Sequence, residues 1–173
     1  MIAQLVAGVL GAALMQGAAA QAEPVFSPEA TERCVAEAYN ASPTRSGHAV
    51  LDCVGRSAQA CISSAGGDTT IGMMACFDGE LRYWDHRLTE AYSRKRQSAR
   101  QSDQQLAGIR ATALSSSDTL RTMQRAWIAF RDAACLHEQA QWMGGTGAGP
   151  ATLACHMHET ARQALKLEGW WAQ

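Results

Sequence analysis

Few residues in this chain are of types and spacings that could do chemistry. His156-Met157-His158, with His137 not far before it, offers imidazoles and a thioether of the kind that hold a soft metal ion. Helical geometry argues against a shared ion. Side chains at i and i+2 point roughly 200° apart, so His156 and His158 diverge and read as surface histidines. His48 and Asp52 sit four apart, which makes one local polar contact rather than a ligand set. Trp127 and Arg131 are also i and i+4, so the guanidinium can stack on the indole while Asp132 turns aside. That pair suits internal packing or a patch that meets a partner, because Trp and Arg supply many interface anchors.

Catalytic signatures do not accompany these groups. The sequence has no nucleophile elbow, zinc-protease helix, Walker loop or dinucleotide fingerprint. The glycine run at 144–149 lacks the Lys and Ser/Thr of a phosphate loop and reads as a connection. Paired carboxylates have no supporting context. The chain therefore reads as a binding protein with no catalytic residues, no metal and no cofactor. The alternatives are an accessory structural protein and a metal-binding domain built on His137, His156 and His158.

The 173 residues carry 15 Lys and Arg against 16 Asp and Glu, a net charge of −1. A near-neutral chain lacks the uncompensated positive field of a dedicated nucleic-acid binder. The charge is unevenly spread. Residues 23–79 hold seven acids and three bases, whereas 80–131 hold ten bases and are net basic. An acidic N-terminal surface is suited to a basic partner.

The six cysteines take their meaning from the first segment. Residues 1–22 contain no charged side chain, run apolar from Ile2 to Met15, and end in Ala18-Ala19-Ala20-Gln21-Ala22. The segment reads as a signal peptide, with cleavage expected after Ala22. Its apolar stretch is too short for a membrane span, which needs about 20 residues. No cysteine follows the cleavage point directly, so no lipid anchor is expected, and the mature protein should be periplasmic or secreted without a membrane anchor. In an oxidising compartment six cysteines make three disulfides. The absence of any C-x-x-C removes a thioredoxin-like site, a zinc ribbon and covalent haem.

The elements that must position these groups are all helices. Ser27-Pro28-Glu29 starts a helix that reaches about Tyr39. Ser46 can cap a second helix running to about Ser63. Asp68 or Thr69 caps a long third one, whose stripe is Met73, Phe77, Leu81, Trp84, Leu88 and Tyr92. A short helix is expected over 106–114. The cluster at 115–118 caps a helix with Leu120, Met123, Trp127, Phe130 and Ala134 on one face, ending near Trp142. Pro150 opens the last helix, with Leu153, Met157, Ala161, Ala164 and Leu165 inward. Trp170 and Trp171 either pack back on the bundle or form an exposed end. The fold class is an all-α, disulfide-stapled antiparallel bundle of four to six helices.

Hairpin geometry then chooses the bridges. In an antiparallel helix pair, residues equidistant from the turn face each other. About a turn near residue 145, Cys135 and Cys155 are symmetric. Cys34 and Cys53 are nearly so about residue 44. Cys61 and Cys76 remain, flanking Gly66-Gly67. Each bridge closes a loop of similar size and contributes about 3 kcal/mol in the chain-entropy picture.

One segment is recognisable. Gln124-Arg125-Ala126-Trp127-Ile128-Ala129-Phe130-Arg131-Asp132-Ala133-Ala134-Cys135 resembles the Q-R-A-W-x-x-[FY]-R-D-x-x-C signature of the LprI-like lysozyme-inhibitor family. Gly144-Gly145-Thr146, Cys155, Thr160, Arg162 and Leu165 are similar to that family's ending. Cys76, Glu80, Trp84, Asp85, Leu88 and Tyr92 are similar to its C…E…WD..LN..Y segment, with Thr89 where Asn is usual. The resemblance covers about 70–167. Taken with the readings above, the expected organisation is a signal peptide (1–22), a disulfide-linked helical hairpin extension (23–69) and an LprI-like helical domain (70–170). The resemblance itself implies a helical exported protein with the 135–155 bridge that inhibits lysozyme or binds another basic cell-wall hydrolase. Arg125, Trp127, Arg131 and Asp132 match the motif and are the candidate binding residues.

Overall fold

The computed structural model describes residues 23–41, 47–107, 109 and 114–170. The expected signal segment, Trp171 and the His48 side chain lie outside the described residues. Six helices follow in order: α1 (Glu29–Ala41), α2 (Gly47–Leu51), α3 (Arg56–Ile62), α4 (Thr70–Leu106), α5 (Ser116–Gln141) and α6 (Ala148–Glu168). There is no strand among the described residues. At a rise of 1.5 Å per residue, α4 is about 55 Å long and forms the spine. Consecutive long helices run antiparallel, so α4 and α6 lie parallel and make the most extensive packing interface. α5 covers α6 and part of α4, while α1–α3 fold over the N-terminal half of α4.

Local signals explain most of the helix ends. Thr69 caps α4, its hydroxyl accepting from Gly72 N at 2.9 Å. Ser115 caps α5 in the same way through Asp118 N at 3.1 Å. Pro150 sits in the first turn of α6, where a missing N–H costs nothing. α4 absorbs the start of the short helix expected over 106–114. Leu106 is its last residue, and 108 and 110–113 lie outside the described residues.

The expected single helix from Ser46 to Ser63 is instead two. Gly55 adopts φ +92°, a left-handed conformation that glycine tolerates without strain, and it ends the turn between α2 and α3. A buried carboxylate is the reason for the break. Glu80 is fully buried on α4. Its Oε1 accepts from Gly55 N (2.7 Å), the Thr31 hydroxyl (2.9 Å) and the Trp84 indole N–H (3.1 Å), and its Oε2 from Ala58 N (2.7 Å). Two of these donors are backbone groups at the start of α3, which an unbroken helix would have spent on itself. Thr31 and Ser57 close the same knot: Thr31 N donates to Ser57 Oγ and Ser57 N to Thr31 Oγ1, both at 3.0 Å. One carboxylate thus joins α1, α3 and α4.

Around it the core is built from Val35, Val50, Ala58, Trp84, Leu88, Ala91, Met157, Ala161, Ala164 and Leu165. Small residues on α6 let it approach α4 closely. The expected stripes on α4 and α6 hold, with Trp84, Leu88, Met157, Ala161, Ala164 and Leu165 buried. The stripe on α5 holds at Leu120, Met123 and Trp127, which pack against the core, and fails at Phe130. Phe130 is 59% exposed, and Arg131, half-buried against Trp127, takes the inward position one step further on. The aliphatic stem of an arginine can cover apolar surface as a hydrophobic residue would. Trp170 packs back as one of the two expected arrangements, 4% exposed and edge-on to Tyr39 at 6.2 Å between ring centroids.

Replacing Glu80 by Ala would strand four donors that now share one carboxylate. The expected loss is about 3–5 kcal/mol in urea unfolding under non-reducing conditions. Glu80→Gln, which turns an acceptor oxygen into a donor facing other donors, should also destabilise. A Gln variant as stable as the wild type would show that the charge and both oxygens are dispensable.

Candidate functional site

Three disulfides fix the frame. Cys34–Cys53, Cys61–Cys76 and Cys135–Cys155 have Cα separations of 5.5, 5.6 and 5.4 Å, and the described residues include no free cysteine. These are the pairs the hairpin symmetry selects. Cys53, Cys76 and Cys135 are fully buried. Cys76, Glu80 and Trp84 step by four along α4, so a bridge, an anion and its indole donor stand on one inward face. The turn between α5 and α6 is held by Trp142, whose ring lies against Gly147 closely enough that any side chain there would collide with it.

Of the four candidate binding residues, three come together and one stands apart. The Trp127 indole packs partly into the core, with the Arg131 guanidinium 5.0 Å from its ring centroid. Asp132 does not turn aside as expected. Arg131 Nε and Nη2 donate to its Oδ1 at 2.9 and 2.8 Å, which leaves the carboxylate at the surface and the guanidinium held between ring and acid. Such a stack is pre-organised, since the arginine cannot swing away without losing both contacts. His156 on α6 sits near this pair. Its partial burial, and then the Arg131 charge, hold its pKa below the ordinary imidazole range. Arg125 is exposed and, six residues before Arg131, points along a different face of α5. His137 is exposed as well. No group of three or more His, Cys, Asp or Glu among the described residues converges to hold a metal ion.

Two further polar constellations were hidden in the sequence because their partners are far apart in the chain. Arg87 on α4 makes a two-pronged pair with Glu168 at the end of α6, at 3.0 and 2.7 Å, and donates to the Tyr83 hydroxyl at 2.9 Å. Burial lifts the Tyr83 phenol above its ordinary pKa, against the opposing pull of Arg87. This group forms one wall of a cleft of about 450 Å³, which Glu32, Val35 and Tyr39 of α1 and Trp170 complete. Glu29, Glu32 and Glu37 stand exposed along the same helix. Near the C-terminal end of α4, Asp103 receives Ser116 N (2.7 Å), Ser117 N (3.0 Å) and the Ser115 hydroxyl (2.9 Å), sealing the start of α5. Hydrogen bonds from Ser117, then Ser116 and Ser115, lower its carboxyl pKa to about 2.

The family model for lysozyme inhibitor LprI matches residues 61–167. The chain belongs to the lysozyme inhibitor LprI family. The match begins at Cys61, so it takes in the Cys61–Cys76 bridge, Glu80 and the Trp127–Arg131–Asp132 stack. The chain is also similar to an uncharacterised 17.7 kDa protein in the puhA 5′ region of Rhodobacter capsulatus. The two are 29% identical over 119 residues, which cover 68% of this chain and 74% of that one. No solved structure matches. No helix among the described residues is long and apolar enough to cross a membrane.

The lowered Asp103 pKa makes the α4–α5 junction acid-sensitive in a defined window. A carboxyl depressed in the folded state stabilises above its unfolded pKa near 4. That contribution fades as the pH falls toward the folded value of about 2. Thermal melts should therefore place Asp103→Asn below the wild type at pH 7, with the gap closing between about pH 4 and pH 2. A gap that stays constant across that range would remove the ionised cap as its cause.

Proposed function

We propose that this is an exported, non-catalytic binding protein that inhibits a basic cell-wall muramidase. Membership of the lysozyme inhibitor LprI family over 61–167 carries the reading. Three disulfides in 173 residues support export, since such bonds persist in oxidising compartments. In this reading 70–170 is the inhibitor domain and 23–69 an extension that adds charge. The exposed acids Glu29, Glu32 and Glu37 of α1 steer a positively charged enzyme toward the cleft beside Tyr39. The Trp127–Arg131–Asp132 stack is the second contact surface, where a rigid aromatic–arginine pair would act as an anchor, and Arg125 extends it onto the neighbouring face of α5.

The disulfide-intact protein, added to a cell-wall suspension with a basic lysozyme, should slow the loss of turbidity. It should form a complex whose affinity falls as salt rises. Reversing the three α1 acids (E29K/E32K/E37K) should slow association about tenfold or more and flatten its salt dependence. Asp132→Ala, which removes the acid that holds Arg131 in the stack, should raise the dissociation rate, and Arg125→Ala on the neighbouring face should do the same. Full lysis at saturating protein, with no complex at low salt, would discard the reading.

A further inference from the structure

α4 carries five arginines, and their partners divide them. Arg82 pairs with Asp78, Arg87 with Glu168 and Arg94 with Glu90. Arg96 and Arg100 have no carboxylate partner among the described residues. The segments outside the described residues contain no Asp or Glu side chain to supply one. These two unpaired arginines line a single small cleft of about 190 Å³ between α4 and α5. Tyr92, Ser117, Asp118 and Arg121 complete it. Asp118 is engaged by Arg121 at 3.0 Å, and the nearby Asp103 is saturated by the serines of the α5 cap. The cleft therefore has an excess of two positive charges and presents guanidinium forks, a phenol and a hydroxyl. Its volume is below that of ordinary small-molecule sites, which start near 300 Å³, and is suited to one oxyanion group rather than a whole metabolite.

The flanking surface says what carries that oxyanion. Leu106 closes α4 two turns beyond Arg100, Ile109 follows at 77% exposure, and Leu114, directly before the α5 cap, is 86% exposed. Exposed apolar side chains at the end of a helical hairpin, one to three turns past two unpaired arginines on the same helix, match an anionic lipid surface. Phosphates occupy the basic cleft there, and the apolar groups enter the headgroup boundary. Free phosphate would use the arginines and leave the apolar groups without a role.

We propose that the α4–α5 end of the bundle is a peripheral docking site for anionic phospholipid, with Arg96, Arg100 and Arg121 gripping a headgroup phosphate beside Leu106, Ile109 and Leu114. Arg96 lies about 14 Å further along α4 than Arg87, which lines the α1 cleft, so the two sites are separate.

The test is co-sedimentation of the protein, purified from its own host with disulfides intact, with vesicles of phosphatidylcholine alone or mixed with phosphatidylglycerol. The wild type should bind the phosphatidylglycerol vesicles preferentially and lose that binding as salt rises. R96Q/R100Q should bind them roughly 30-fold more weakly, with unchanged thermal stability because both positions are exposed. Ile109→Ser with Leu114→Ser should also weaken vesicle binding, while Arg33→Gln on α1 should not. A preference for phosphatidylglycerol that survives R96Q/R100Q would overturn the site. Calorimetric binding of inorganic phosphate without any vesicle preference would overturn the lipid and leave a free-anion cleft. Binding of neither would overturn both.

Discussion

A carboxylate with no access to water has to find its donors inside the protein, and in this molecule that requirement organises the N-terminal half. Glu80 collects an indole from its own helix, two backbone amides from the start of α3 and a hydroxyl from α1. An ion so placed is not a net source of stability to be counted like apolar area, because its desolvation offsets much of what the hydrogen bonds return. Its effect is on uniqueness. Only one placement of α1 and α3 against α4 satisfies all the donors, and every near-miss leaves a charge buried and unpaired. Gly55 follows from this, since the chain must turn left-handed at that point to aim its amide inward.

The rest of the bundle rests on ordinary packing with thin margins. On the buried face of α6, Thr160, Ala161 and Ala164 alternate with Met157, Leu165 and Leu167, and α5 buries only Cys135 completely. A helix seated that lightly depends on its ends. The Cys135–Cys155 bridge fixes one, the Asp103 cap the other, and the Gln163 amide donates to Gln124 at 2.9 Å between them. The outward side of α5, with Phe130 and Leu136 about 60% exposed, is left to solvent within a single chain.

The sequence was informative where geometry is local or periodic. Helix caps at Thr69 and Ser115 announce themselves by residue type, and equidistance about two turns was enough to pair the cysteines, because a hairpin of two helices advances equally on both arms. It was uninformative where an outward-looking residue type plays an inward role. Glu80 lies in step with Cys76 and Trp84, yet an acid among apolar residues reads as surface until its donors are known. Arg131 displaced Phe130 from the buried face of α5 for a related reason, since hydropathy records the charged head and ignores the stem. The Asp132 contact turns on a choice of rotamer, and residue spacing carries no information about that.

The order of the bridges along the chain carries a consequence for how the protein is made. Each cysteine is joined to the next in line, at separations of 19, 15 and 20 residues, so the three loops neither overlap nor nest. A chain delivered N-terminus first to an oxidant would present each thiol with its correct mate before a competitor arrived. Indiscriminate oxidation of the emerging polypeptide would then yield the native connectivity, and an enzyme that reshuffles mispaired sulfurs would find little to correct.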